Sequence, residues 1–442
     1  MNRTHLSIVV IASLAGLLFG FDTAVISGVT GSLVDVYALT PAGKGAAVSA
    51  ALWGTLLGAL LVGKPGDRFG ARNSLRCVGI LYVVSAVGCA VAPNLESFVV
   101  FRFMAGLAIG GSSVLAPVYI SEIAPAQRRG ALVGLFQFNI VFGILAAYCS
   151  NFLIGRITSG PDVWRWKLAA AAVPALVFCV LLFRIPQSPR WLLVKRRTSE
   201  ALDSLRTLGF RDPTAALQEL EQQGAAHDSP TGATLSWRQH RRPIVLAVSL
   251  AMFNQLSGIN AILYYLGDIF TAAGFSSLSA DLQSVAIGLT NLAATVLAMS
   301  IIDRVGRKTL LLVGSVGTAL ALAGVAAIMI TGQEKALLLW LLVAFIAFFA
   351  VSQGAVIWVY LSEVFPTAVR ARGQSLGSAT HWFMNAVISF AFPLIAVRSQ
   401  GAPFAFFAAM MVLQLIVVAR LFPETKGVTL ERMEQVMAGD SA

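Results

Sequence analysis

Asp22 sits in the stretch Gly16 to Gly28, GLLFGFDTAVISG, as the one acid in an otherwise apolar run. A carboxylate at the centre of a lipid-crossing helix costs roughly 2.5–3.5 kcal/mol on insertion scales, so such groups usually face a protein interior or a water-filled path. Two kinds of chemistry suit it: binding and releasing a proton, or touching a polar solute. The plainer alternative is a packing carboxylate satisfied by a neighbouring helix. No nucleophile with a base beside it, metal-ligating cluster or P-loop appears anywhere in the chain, and His381 has neither an acid partner nor an HExxH context. The sequence therefore predicts no enzyme, no cofactor and no metal.

Hydrophobic residues make up 57% of the 442 positions and charged ones only 12%, which places the chain among integral membrane proteins. The net charge of +11 does not indicate nucleic acid, because the basic residues fall in short loops between apolar spans. Cys77, Cys89, Cys149 and Cys179 lie in apolar segments without CxxC spacing and read as small buried hydrophobes.

A hydrocarbon core needs about 20 apolar residues per crossing, and twelve such runs are present. They cover 6–27, 46–63, 75–92, 97–119, 131–154 and 165–184, then 243–266, 282–302, 309–330, 336–361, 373–397 and 402–422. The first run continues to about Ile26 and carries Asp22, so a retained span is expected there and not a cleaved signal. Assigning alternate loops to one side puts 25 Lys and Arg on the side of the termini, six on the other and Arg102 inside a span. That bias predicts cytoplasmic termini.

The chain also matches itself. Asp67-Arg68-Phe69-Gly70-Ala71-Arg72 recurs as Asp303-Arg304-Val305-Gly306-Arg307-Lys308, an offset of 236. Ser121-Glu122 with Pro125 and Arg129 recurs as Ser362-Glu363 with Pro366 and Arg370, offset by 241, and Pro186-Gln187-Ser188 echoes Pro423-Glu424-Thr425 at 237. Three near-equal offsets imply two six-helix halves related in parallel around a central path. Expected boundaries are an N-terminal half over 1–184, a cytoplasmic linker over 185–242, a second half over 243–422 and a tail over 423–442. The recurring acids and guanidinium groups at helix ends suit a cytoplasmic latch of bidentate pairs between halves. Its candidate members are Asp67, Arg68, Arg72, Glu122, Arg129, Arg190, Asp303, Arg304, Arg307, Glu363 and Arg370.

In the linker, Trp191, Val194, Leu202, Leu205 and Leu208 recur at near-helical spacing, and Asp212-Pro213 reads as an N-cap followed by a first-turn proline. Two or three short amphipathic helices are expected there, with a hinge near Asp228 to Gly232.

The residues now resemble a known pattern, the sugar porter branch of the major facilitator superfamily, over nearly the whole chain. The resemblance rests on GLLFGFDTAVISG, GKPGDRFGAR, RFMAGLAIGG, SEIAPAQRRG, PQSPRWL, NQLSGINAILYY, DRVGRK, IWVYLSEVFPTAVR and PETKG. It implies an all-α membrane fold of twelve helices in two pseudo-symmetric halves and a monomeric transporter that carries a monosaccharide, hexose or pentose, across the cell membrane by alternating access. It further implies a sugar site formed mainly by Asn254, Gln255, Asn260, Asn291, Trp358, His381 and Trp382, with Phe19 and Gln137 from the first half, and gating at Tyr264 and Tyr265. Amides and aromatic platforms suit a ligand that offers hydroxyls and an apolar face.

Helix geometry tests that set. At 100° per residue Asn260 and Tyr264 share a face, whereas Gln255 and Asn260 lie about 140° apart. Both reach one ligand only if the helix breaks, and Ser257-Gly258 supplies the means. Gly354 and Trp358 stand four apart, so the glycine is expected to clear room beside the indole. Asn254, His381, Ala71 and Gln187 depart from the family pattern. The first two bear on sugar preference, and the last two weaken the latch locally.

Asp22 and Arg102 match the family positions associated with proton coupling. Burial disfavours an ionised carboxylate and a nearby guanidinium favours it, so proton binding is expected to release the pair and permit rocking of the halves. Competing readings are a proton-independent facilitator, a cyclitol or polyol symporter, and a sugar sensor that binds without transporting. The short segment after Leu421 disfavours the sensor, and the specific amides disfavour multidrug efflux.

Overall fold

The computed structural model describes residues 3–124, 129–210, 212–226, 235–366, 369–428, 433 and 435. Among the described residues, twelve helical segments are long and apolar enough to cross a membrane. They are Arg3–Gly28, Pro41–Leu61, Ala71–Val91, Leu95–Ile123, Leu132–Ile157 and Val163–Leu181, then Trp237–Tyr264, Ser277–Val305, Arg307–Thr331, Lys335–Glu363, Arg372–Ala396 and Ala402–Leu421. Each coincides with an expected span, and no strand occurs among the described residues. The protein is an all-α integral membrane protein.

The chain forms two compact units, 1–25 with 50–231, and 26–49 with 232–442. The segment 26–49, which holds the end of the first span, the start of the second and the link between them, thus belongs to the second unit.

In the first unit, close backbone approach fixes the helix that carries Asp22. A Cβ added at Gly20 would stand 1.9 Å from the Ile140 carbonyl oxygen, and one at Gly143 would stand 2.2 Å from that of Leu17. Only glycine lets the first and fifth spans meet this tightly. At the C-terminal end of the first helix, Asn151 Nδ2 donates to the Val25 carbonyl at 3.1 Å, where the chain tightens into a single turn over Ile26–Gly28. The apolar core of this unit runs from Ile8 and Val9 through Tyr119 and Phe136 to Phe178 and Leu208. The core of the second unit gathers Ile244, Leu311, Tyr360, Phe365 and Phe422.

Between the spans lie three short helices, Pro189–Val194, Thr198–Leu208 and Pro213–Ala226, as the amphipathic spacing predicts. Leu192, Ala201, Leu205 and Leu217 form their shared apolar cluster, and Trp191 Nε1 donates to the Asp67 carbonyl at 3.0 Å. Asp212 caps the third helix by accepting from the backbone N–H groups of Thr214 and Ala215 at 3.1 and 2.9 Å. The expected hinge at 228–232 lies outside the described residues.

The internal repeat is also a repeat of contacts. Tyr119 Oη donates to the Pro186 carbonyl at 2.8 Å in the first unit, and Tyr360 Oη to the Pro423 carbonyl at 3.2 Å in the second. Gly70 and Gly306 end the loop motifs at φ of 81° and 104° with the same ψ of 155°. A residue from just after the last span of each half then seats the helix that follows each glycine. Glu424 accepts from the N–H groups of Arg307, Lys308, Thr425 and Lys426 at 2.8–3.0 Å. Its counterpart Gln187 accepts from Arg72 and Ser188 and donates to the Phe69 carbonyl at 3.1 Å. The departure from glutamate at Gln187 therefore keeps the seat by exchanging two accepted bonds for one donated bond.

Candidate functional site

The seventh span breaks where the geometry requires it. One helix, Trp237–Leu256, ends at Ser257; Gly258 takes the left-handed conformation at φ 80°, and a second helix, Ile259–Tyr264, follows. The Ser257 hydroxyl donates back to the Asn254 carbonyl at 2.6 Å and accepts from the Ile259 N–H at 3.3 Å, holding both chain ends at the break. A Cβ at Gly258 would meet the Phe407 ring at 2.2 Å, so glycine is required by conformation and by space.

Across the break, Asn260 Nδ2 donates to Gln255 Oε1 at 3.0 Å. Gln255 Nε2 donates to Asn254 Oδ1 at 2.9 Å, and Asn254 Nδ2 to the Gln353 carbonyl at 3.3 Å. The same Gln255 nitrogen lies 3.2 and 3.3 Å from the two ring nitrogens of His381. A nitrogen in the ring plane at near-equal distance from both would collide with Cε1, so the amide stands over the imidazole face as an N–H···π contact. The His381 ring meets Trp358 and Trp382, each at 5.2 Å between centroids. Asn254, Gln255, His381 and Trp382 are buried, whereas Trp358 is 41% exposed. Six of the expected positions thus form one uncharged cluster of amides and aromatic rings.

The tenth span differs from its expected course. It contains a π-turn over Ala350–Gly354 between two α-helices, Leu338–Phe349 and Ala355–Glu363. A Cβ at Gly354 would meet Phe349 at 3.4 Å, an ordinary contact. The wider turn changes the facing of residues that an unbroken α-helix would align.

Asn291 is buried on the eighth span, and no hydrogen bond among the described residues joins it to the cluster. Phe19 packs on the core of the first unit, and Gln137 is half-buried in the same unit. Tyr264 Oη accepts from Asn385 Nδ2 at 3.3 Å, and Tyr265 Oη donates to the Ser389 carbonyl at 2.9 Å while its ring stacks on Phe392 at 5.1 Å. Ser389 Oγ donates to Asn385 Oδ1 at 3.2 Å. His381, Asn385 and Ser389 thus form a ladder on the eleventh span that meets Gln255, Tyr264 and Tyr265 in turn. Asn385 and Ser389 were not in the expected set, although their four-residue spacing from His381 marks a shared helix face.

In the first unit Arg102 Nη1 donates to Asp22 Oδ1 at 2.7 Å, with the side chains 4% and 15% exposed. Asp22 Oδ2 is buried and takes no hydrogen bond among the described residues. This is a desolvated, charge-assisted pair with acceptor capacity remaining on the acid.

Asp303 and Glu363 pair with Arg307 within their own unit. Arg307 Nη2 reaches Asp303 and Glu363, both at 2.9 Å, and Thr425 Oγ1 donates to the second oxygen of Glu363 at 2.6 Å. In the first unit Glu122 meets the Ser188 hydroxyl and lies in the field of Arg190. Ala71 stands in the place of Arg307 and has no charge to offer. Arg68 lies over Phe69 at 5.2 Å, Arg72 Nε donates to Asn73 Oδ1, and the Arg304 carbonyl accepts from Lys426. Arg129 and Arg370 begin corresponding helices, Arg129–Ile157 and Arg370–Ala396.

Twelve spans in two contact-matched units, with uncharged amide and indole groups in one and a buried ion pair in the other, define a membrane transporter of the major facilitator class. The chain matches the profile of the family described as sugar (and other) transporter over residues 8–437. It is 36% identical to the D-xylose-proton symporter of Escherichia coli K12, over 97% of this chain and 94% of that protein. It is 34% identical to the major myo-inositol transporter of Bacillus subtilis, over 97% and 93%. The solved inward open structure of the xylose transporter from E. coli superposes with a TM-score of 0.86 at 34% identity, covering 98% of this chain and 99% of that one. The chain belongs to the sugar (and other) transporter family; it is a transporter and not an enzyme.

Proposed function

We propose that this transporter imports a monosaccharide, a hexose or pentose, by alternating access and couples that import to an inward proton. The observation that carries the coupling is the buried Asp22–Arg102 pair at 2.7 Å. Protonating the acid removes one partner's charge, and a buried pair that loses a charge loses most of its hold. The freed arginine then favours a different helix arrangement, and the two six-helix halves rock. Arabinose-proton and D-xylose-proton symporters among the relatives support the same reading.

Sugar binding falls to Gln255, Asn260, Asn254, Trp358 and Trp382, with His381 setting the Gln255 amide and Asn291, Gln137 and Phe19 completing the pocket during transport. Tyr264 and Tyr265 gate it from the second half of the broken helix. On the opposite side of the membrane the recurring acid and arginine positions act as the latch between halves. The protein works as a monomer in the cell membrane, with both termini and the 185–242 linker in the cytoplasm, as the Lys and Arg bias supports.

A second reading, a cyclitol symporter, is favoured by the resemblance to the myo-inositol transporter. Uptake of labelled sugars and myo-inositol into de-energised vesicles, with and without an imposed pH gradient, separates these readings. Concentration of a monosaccharide only under the gradient is the expected result. Equilibration regardless of the gradient makes the protein a facilitator, and concentration of myo-inositol alone selects the cyclitol reading.

A further inference from the structure

A cavity of about 450 Å³ opens in the second unit at the end of the spans away from the loop motifs. Its walls come from the segment that joins the first two spans, the turn after the broken seventh span and the turn between the last two spans. All of these belong to the one unit. It is separate from the Gln255 cluster, none of whose members lines it. Its size falls within the range of small-molecule sites, about 300–1,000 Å³.

The polar chemistry of this cavity centres on one ion pair. Lys44 Nζ lies 2.8 Å from Asp268 Oδ1, with the side chains 19% and 24% exposed, and the same ammonium stands 5.8 Å from the centroid of the Tyr265 ring. Asp268 Oδ2 is buried and has no hydrogen-bond partner among the described residues. The rim carries Arg398, Ser399 and Gln400, and the remaining wall is mainly apolar.

Charge selects the kind of ligand. A carboxylate or phosphate would be set against Asp268, and a cation against Lys44 and Arg398. A neutral hydroxylated molecule meets neither penalty: one hydroxyl donates to the exposed edge of the Asp268 carboxylate, a neighbouring hydroxyl accepts from the Lys44 ammonium, and its C–H face lies on the apolar wall. Hydrogen bonds to charged partners are the stronger kind, so a vicinal diol suits the pair.

We propose that this cavity is a second monosaccharide site, an outer waiting position next to Tyr265, distinct from the interior amide cluster. The proposal rests on the reading of the protein as a sugar transporter. Occupying it would raise the local sugar concentration beside Tyr265 and the helix Leu266–Ala272, which carries Asp268.

The test uses Ser399→Cys, at the exposed rim, in purified full-length protein whose four native cysteines are replaced. The rate of maleimide labelling is read with and without D-xylose, alongside labelled D-xylose uptake in proteoliposomes. D-xylose is expected to slow the labelling, and the protection is expected to persist in Gln255→Ala, which disables the interior cluster. Asp268→Asn should abolish it, and so should Gln400→Trp, which fills the cavity from its rim without touching the ion pair. Protection that disappears with Gln255→Ala comes from the interior site and overturns the proposal. Unprotected labelling with intact D-xylose uptake also overturns it and leaves the transporter reading standing. Neither protection nor uptake of D-xylose or any other monosaccharide overturns both.

Discussion

Asn260 Nδ2 donates to Gln255 Oε1 at 3.0 Å, although the two residues would point about 140° apart on an unbroken helix. The left-handed Gly258 between them makes that bond possible.

Gly258→Ala should therefore act on fold and site together. The left-handed conformation costs an L-residue about 1–2 kcal/mol, and the new Cβ would also collide with the Phe407 ring. A lowered unfolding temperature with sharply weakened sugar binding is expected. Full stability and affinity in this variant would show that the break does not depend on glycine.

The ring of His381 gives a second prediction. Its face receives the Gln255 amide, so a ring matters here more than a ring nitrogen. His381→Phe should keep sugar affinity within about twofold, while His381→Ala should weaken it about fivefold, the scale of one weak hydrogen bond of roughly 1 kcal/mol. Equal losses in both would assign the role to the nitrogens instead.

This part of the site was only partly legible in the sequence. The break at Ser257-Gly258 could be inferred because two amides on opposite faces had to meet. The contacts of Tyr119 with Pro186 and Tyr360 with Pro423 could not, since each joins residues more than 60 positions apart through a carbonyl that every residue possesses. The π-turn at Ala350–Gly354 was not legible for another reason: four-residue spacing assumes an α-helix throughout. The ladder of His381, Asn385 and Ser389 was visible as spacing, but its partners on the seventh span were not.

Arg307 offers a third test, because one guanidinium nitrogen serves both Asp303 and Glu363. Its side chain is 9% exposed, while the acids are 81% and 23% exposed. The loss in Arg307→Ala should fall between the surface and buried limits, about 1–3 kcal/mol. Unfolding in detergent measures it, and a neutral result would mean that Thr425 alone satisfies Glu363.

Glu424 carries a fourth prediction, in pH. Burial works against its ionisation, but the N–H groups of Lys426, Arg307, Thr425 and Lys308 donate to the carboxylate and together hold it below the ordinary glutamate value of 4.5. A depressed folded-state value means its contribution is complete above 4.5 and is lost as pH falls through the lower folded value. Glu424→Gln should lower stability at neutral pH and flatten that acid-side decline. Gln187→Glu should bring no matching gain, because a carboxylate there would face the Phe69 carbonyl that the amide now bonds. Thermal unfolding between pH 3 and 7 reads both variants.

The coupling claim is tested most directly by Asp22→Asn in proteoliposomes, with uphill accumulation and sugar exchange measured in the same preparation. The amide still offers an oxygen to Arg102 but takes up no proton. Accumulation under an imposed pH gradient should be lost while exchange of labelled for unlabelled sugar continues. Accumulation at the unaltered protein's level would contradict the assignment of Asp22 as the coupling group.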